Sequence, residues 1–423
     1  MTDSHRTRLT SDGLARFGEI AAAHVAADVV DGGVPGVVAL VGTSEQAHVE
    51  AHGSLSLGGA PVQRDSLFRL SATTKPVTGA LTLALVREGL LALDEPVDRL
   101  LPELANRRVL RRPDGPLDDT VPAVRPVTVR DLLTFTFGFG TMLEMFDAEE
   151  DWPIDVAESR LPTATLGPPN PARLPDPDAW LAALGSLPLI TQPGERWAYN
   201  TSAQVLGALA SRATGLAIAE AYRSRLFEPL GMRDTGFFAA DMTRLATAYK
   251  DAPDGGLQVS DPAEGQWSRP PAFGDGGGGL VSTVDDLWRF ARMLLRGGDP
   301  VLTPDAVAAM TSNQLTPAQQ RYPGPGDWWP GPSARFRQRR TWGFCLSVIT
   351  EGRFAGAYGW DGGFGTTWLV DPAAGLAVVV LTQRSFGGPN AVPAVHADLQ
   401  EAAFDALADP ALRRADGHRA STR

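Results

Sequence analysis

Between residues 12 and 30, Leu14, Phe17, Ile20, Ala21 and Val25 recur at three- and four-residue spacings. That is the period of a helix with one buried face, and His24 falls on a face of it. Pro35 to Val41 is a short apolar, β-branched run, and Ala47 to Leu57 alternates in part; two strands are expected there. The apolar run Ala80 to Val86 follows a polar entry and ends at Arg87-Glu88-Gly89. It predicts a helix with Ser71 at the N-cap, Pro76 near the start and Gly89 at the stop. Further helices are expected at 177–185, 202–213, 217–227, 284–296 and 392–408. Strands are expected from Trp342 to Ile349, Thr366 to Val370 and Leu376 to Leu381, the last two joined by a turn at Asp371 to Gly375. Residues 146–178, rich in Asp, Glu and Pro around Trp152, read as a long surface loop or lid. The tail from Arg413 is polar, and disorder is expected there.

Composition narrows the function classes. A chain of 423 residues with 43% hydrophobic and 21% charged residues can bury one large core or two intimate ones. The net charge of −11 argues against nucleic acid and against a polybasic membrane patch. No run approaches the about 18 apolar residues of a membrane span. Met1 to Arg6 lacks the apolar core of a secretory signal, and the single cysteine, Cys345, fits a reducing compartment; a cytoplasmic location is the expectation. Cys345 sits in a strand-like apolar run. The six histidines have no metal-ligand spacing, so no metal or cofactor is expected.

One residue stands out. Of 38 basic residues only Lys75 and Lys250 are lysines. Arg cannot lose its proton in a protein, whereas a buried Lys can, so a Lys kept at a helix start is suited to be a general base. Compositional chance, or a buried lysine that only packs its stem, is the plainer reading.

Phe68-Arg69-Leu70-Ser71-Ala72-Thr73-Thr74-Lys75-Pro76 resembles the first motif of the serine beta-lactamase and penicillin-binding-protein superfamily, most closely its class C beta-lactamase-like esterases. That motif is Ser-x-x-Lys. Three residues before Lys75 stands Ala72, so the resemblance supplies the base without the nucleophile. Three readings stand open. Ala72 is an engineered replacement of Ser, as the intact remaining motifs favour; it is a natural loss that leaves a binding protein; or Ser71 serves instead. On a regular helix the last would turn the attacking oxygen by about 100° away from the pocket.

The other motifs follow in order. Pro193-Gly194-Glu195-Arg196-Trp197-Ala198-Tyr199-Asn200-Thr201 resembles the second, with Tyr199 as proton relay, its phenol acidified by a nearby Lys ammonium. Thr201 stands where lactamases more often keep an Asn that holds the side-chain amide. Gly359-Trp360-Asp361-Gly362-Gly363-Phe364 resembles the third motif in its esterase form, with Trp360 for the basic residue. The resemblance implies an oxyanion hole from the N–H groups of Ala72 and Gly363, and substrate contacts from Trp360, Asp361, Gly362 and Thr201. Phe137, with Phe135, stands in a run where the family commonly has His and Ser. Phe137 is expected to shape the acyl pocket or to pack in the core, and the lid residue Trp152 is expected to contact the substrate. The lid's acidity can steer against anionic substrates, and a solvated loop accounts for it equally. Gly274-Asp275-Gly276-Gly277-Gly278-Gly279 contains G-x-G-x-x-G, but no strand precedes it, and a tight glycine turn fits better than dinucleotide binding.

The implied fold is α+β. An antiparallel sheet from residues 1–75 and 300–410 is flanked by helices, a mainly helical region covers 76–299, and a tail follows from 411. The implied activity is hydrolysis of a small-molecule carboxylic ester or amide through an acyl-enzyme. Acyl transfer, lactam hydrolysis and D-amino-acid peptidase or amidase activity are relatives of that reaction. With Ala72 the chain is expected to be inactive or substrate-trapping.

Overall fold

The computed structural model describes residues 7–163, 165–327, 339–386 and 394–412. The polar tail from Arg413 lies outside them, as do residues 392 and 393 at the start of the last expected helix.

Seven antiparallel strands form the main sheet, in the order Ala47–Gly53, Gly36–Gly42, Leu376–Thr382, Thr366–Asp371, Tyr358–Gly362, Ser347–Ile349, Arg340–Trp342. The N-terminal strand pairs directly with a C-terminal one, Val37 opposite Thr382 and Gly42 opposite Ala377. Both strands are buried throughout and almost wholly apolar because helices cover both faces. Alternation along the strand sends Val37, Ala39 and Val41 to one side, against Phe17, Ala21, Val395 and Leu399 of the helices Ser11–Ala26 and Ala394–Asp405. Val38 and Leu40 face the other side. There the helix Val284–Leu295 packs, its Phe290 ring edge-on to Trp368. The sequence placed this helix in the helical region, yet it lies on the sheet.

The centre of the molecule is the helix Thr74–Arg87, which packs against Thr201–Thr214. Every residue from Thr74 to Leu85 is buried, which is why its sequence is apolar all round rather than striped. One continuous apolar core joins these helices to the inner face of the sheet. Thr163 Oγ1 donates to Glu158, and the segment 146–178 holds the helix Pro153–Ser159 within otherwise irregular chain.

Three local expectations are corrected, and one element was not foreseen. Ser71 does not cap the helix through its side chain; it opens a 3-10 turn, Ser71–Thr73, with φ +48°, and the α-helix begins at Thr74. The run from Trp342 to Ile349 is not one strand. Cys345 turns the chain at φ +60° between two short strands, and its N–H donates to Leu133 O at 2.9 Å. Gly79 allows this approach, since a Cβ there would stand 2.9 Å from both Cys345 Cβ and Phe344 O. The helix expected at 217–227 is α-helical only at Ile218–Tyr222, and a π-turn carries Arg223–Phe227. A hairpin, Ala248–Asp251 with Leu257–Asp261, was not expected. Among the described residues no helix is long and apolar enough to cross a membrane.

Candidate active site

The three sequence motifs meet at one cavity of about 690 Å³. Ser71, Ala72 and Lys75 line it from the first, Tyr199 and Asn200 from the second, and Asp361 and Gly363 from the third. A hollow of about 840 Å³ elsewhere, lined by Ile218, Phe227, Met232 and Phe237, holds none of these groups. The chemistry of the walls, not the size, selects the site.

Lys75 is 1% exposed, and its Nζ donates to Gly277 O at 2.6 Å. Burial pushes its pKa down to about 7, against Asp275 and Cys345, which raise it. A lysine so placed is half deprotonated near neutrality and can take a proton. The glycine turn presents the Gly277 carbonyl. Asp275 Oδ1 accepts from Gly277 N at 2.6 Å, and Thr78 Oγ1 donates to Gly276 O at 2.6 Å. A Cβ on Gly276 would stand 2.6 Å from Ala203 O, so only glycine fits between the two central helices. Asp275 is itself buried, which raises its pKa. Sequence reading passed over it as part of a turn; an acid inside a run of five glycines was the available signal.

Tyr199 projects beside Lys75, whose Nζ lies 4.7 Å from the centre of the phenol ring. The Trp360 indole donates to the Tyr199 hydroxyl at 2.9 Å. Burial pushes the phenol well above its usual range; the Trp360 hydrogen bond works the other way, and Asp361 adds to the rise. The expected acidification by Lys75 is therefore corrected. Tyr199 stays protonated and suits the donating half of a proton relay. Phe135 flanks Tyr199 with ring centres 6.2 Å apart.

Gly363 leaves open space at its α-carbon; a Cβ there would have Ser71 Oγ as its nearest neighbour, at 3.7 Å. The left-handed Ser71 thus lies by the expected oxyanion hole, and the helical argument that turned it away from the pocket does not hold. Of the five non-glycine residues with positive φ among those described, Ser71, Phe135, Asn200 and Cys345 surround this site, and only Asn106 stands apart. Each such conformation costs on the order of 1 kcal/mol, and such strain gathers at functional sites.

The remaining expected contacts divide. Asp361 lines the cavity, while Trp360 and Gly362 stand behind it: Trp360 holds Tyr199, and Gly362 packs against Leu70 O. Thr201 is fully buried and accepts from Thr165 Oγ1 at 2.5 Å. Its neighbour Asn200 lines the cavity instead, and its Nδ2 ties down the lid by donating to Thr165 O at 2.7 Å. Phe137 is a core residue, and Trp152 precedes the helix Pro153–Ser159 and packs on the core; neither lines the cavity. The lid reaches the cavity through Phe146 and through Leu166 to Asn170.

The family model described as Beta-lactamase matches residues 21–403. The chain belongs to the beta-lactamase family. Within the family, Esterase EstB of Burkholderia gladioli is 32% identical over 353 residues, covering 78% of this chain and 80% of its own. Protein Rv1367c of Mycobacterium tuberculosis is 39% identical over 344 residues, covering 77% and 79%. The structure of EstCE1, titled a hydrolase with promiscuous acyltransferase activity, superposes with a TM-score of 0.74 at 22% identity, over 93% of this chain and 98% of that one. At that identity the likeness shows the fold, which is the beta-lactamase-like one.

Proposed function

We propose that the cavity binds a small-molecule carboxylic ester, or an amide, and that the scaffold is built for acyl-enzyme chemistry of the esterase type. The observation that carries this reading is Lys75, buried and held near pKa 7 one helical turn from position 72, with a protonated Tyr199 beside it. With serine at 72, Lys75 would take the hydroxyl proton as oxygen attacks the carbonyl, and the Tyr199 hydroxyl would pass a proton to the leaving alcohol. The N–H groups of residues 72 and 363 would hold the carbonyl oxygen. Water would complete hydrolysis, and an alcohol or amine would complete acyl transfer. The esterase named among the relatives supports the ester; the buried Thr201 gives a lactam side chain no amide partner.

With Ala72 the attacking oxygen is absent while both backbone donors remain. The chain as it stands holds and polarises an ester without forming a bond to residue 72. Ala72 equally supports a second reading, a natural binding protein on this fold.

Ala72→Ser decides between them. Under the first reading it raises turnover of a p-nitrophenyl ester by about 10³-fold or more, and intact mass shows an acyl adduct on residue 72. No gain favours the binding protein. Activity of the unaltered chain, with the adduct on Ser71, would make Ser71 the nucleophile.

A further inference from the structure

The walls of the cavity carry few charges. Among the described residues that line it, the ionisable side chains are Lys75, Tyr199, Lys250, Asp261 and Asp361. Both acids are neutralised from behind. Asp261 Oδ2 accepts from Arg69 Nε at 2.8 Å, with the guanidinium almost fully buried. Asp361 Oδ2 lies 3.3 Å from Arg340 Nη1, also largely buried. Lys75 is committed to Gly277.

Lys250 is different. It is exposed at the cavity mouth on the strand Ala248–Asp251, and among the described residues its ammonium has no hydrogen-bond or ion-pair partner. Its sequence neighbour Asp251 is taken by Arg384, 2.8 Å away. The strand is firmly held. Tyr249 N donates to Gln383 O at 2.8 Å, Ser385 N to Tyr249 O at 2.7 Å, and Leu57 N to the Tyr249 hydroxyl at 2.9 Å. A chain that uses arginine for all but two of its 38 basic residues places both lysines on this one cavity.

The lid acids lie elsewhere. Asp151, Asp155 and Glu158 line an adjoining hollow of about 660 Å³, which meets the cavity at Thr141, Leu166 and Asn170. Among the described residues Lys250 is thus the one unpaired positive charge at the mouth of this cavity, in a protein of net charge −11, while the lid's acids, with Arg173, line the adjoining hollow.

We propose that the substrate is an ester carrying a carboxylate, and that Lys250 receives this carboxylate at the cavity mouth. The proposal rests on the reading of the cavity as an ester site. An ammonium carried on this anchored strand attracts a carboxylate to the cavity mouth and orients the ester toward residue 72.

The test compares monomethyl glutarate with dimethyl glutarate, esters of similar size with and without a carboxylate. Calorimetry on the unaltered chain, with intact mass checked for the absence of an adduct on Ser71, reads binding alone. Monomethyl glutarate binds about three- to tenfold more tightly at low salt, the gap narrows at 0.5 M salt, and Lys250→Glu reverses the order. Equal or tighter binding of the dimethyl ester, a ratio that Lys250→Glu moves by less than about twofold, or no binding of either ester overturns the proposal. Turnover by the Ala72→Ser protein separates it from the reading beneath. Binding preference without turnover of any ester overturns only the acyl-enzyme chemistry. Turnover of both esters in a ratio that Lys250→Glu leaves unchanged overturns only the role of Lys250.

Discussion

The indole N–H of Trp360 points at the hydroxyl oxygen of Tyr199, 2.9 Å away, and supports the phenol from the strand Tyr358–Gly362. Trp360 thus orients the phenol without adding charge. In the Ala72→Ser protein, Trp360→Phe removes this donor and lowers kcat by about tenfold, the worth of one buried hydrogen bond, while KM changes less. Equal loss in kcat and rise in KM would assign Trp360 to packing alone.

The pH profile follows from Lys75. With a folded pKa of about 7, its base form gains above neutrality and is lost below it. In the Ala72→Ser protein, kcat/KM for a neutral ester should rise with pH to a plateau, with its midpoint near 7. A flat profile between pH 6 and pH 8 would remove Lys75 from the role of base.

The same burial affects stability with a defined sign. Unfolded, Lys75 titrates near its ordinary value of 10.5; folded, near 7. Between these values the unfolded chain binds the extra proton, so this group makes stability rise with pH across that window. Its cost to the fold is fully present below about pH 7 and gone above about pH 10.5. Lys75→Met is therefore expected to stabilise the chain by about 1–3 kcal/mol at pH 6 and by little at pH 10, read as denaturation midpoints. A substitution that destabilises equally at both pH values would contradict this.

Asp275 acts on Lys75 at a distance, since its charge raises the lysine. Asp275→Asn keeps an acceptor for Gly277 N and removes the charge. The midpoint of the Ala72→Ser pH profile should move acidward by about 0.5–1 unit. An unmoved midpoint would mean that Asp275 serves only to fold the glycine turn.

Much of the arrangement was legible in the sequence. Lys75, Tyr199 and Gly363 lie far apart in the chain, yet each belongs to a motif whose local geometry is strong, a helix start or a glycine-flanked strand. What was not legible depended on tertiary partners. The left-handed turn at Ser71 lies where Leu70 O accepts from Thr366 Oγ1 and packs on Gly362, contacts made by residues almost three hundred positions away. The place of Lys250 was hidden because its hairpin is short and polar, although Asp254-Gly255, with Gly255 at φ +86°, is a hairpin signal that could have revealed it. Phe137 and Trp152 were drawn toward the substrate by sequence position, but burial of large apolar surface took both into packing. Thr201 and Asn200 differ by one residue, and only the strained turn at Asn200 decides which of them meets the cavity.

The turn that lets Cys345 nestle against Gly79 also makes the protein's only thiol a clock. The sulfur is enclosed, and burial holds its pKa far above that of a reactive thiol. A thiol reagent can reach it only when the packing behind Lys75 parts. Its rate of labelling therefore times the breathing of the cavity floor itself. A ligand seated in the cavity should slow that clock, whether or not any bond is ever broken.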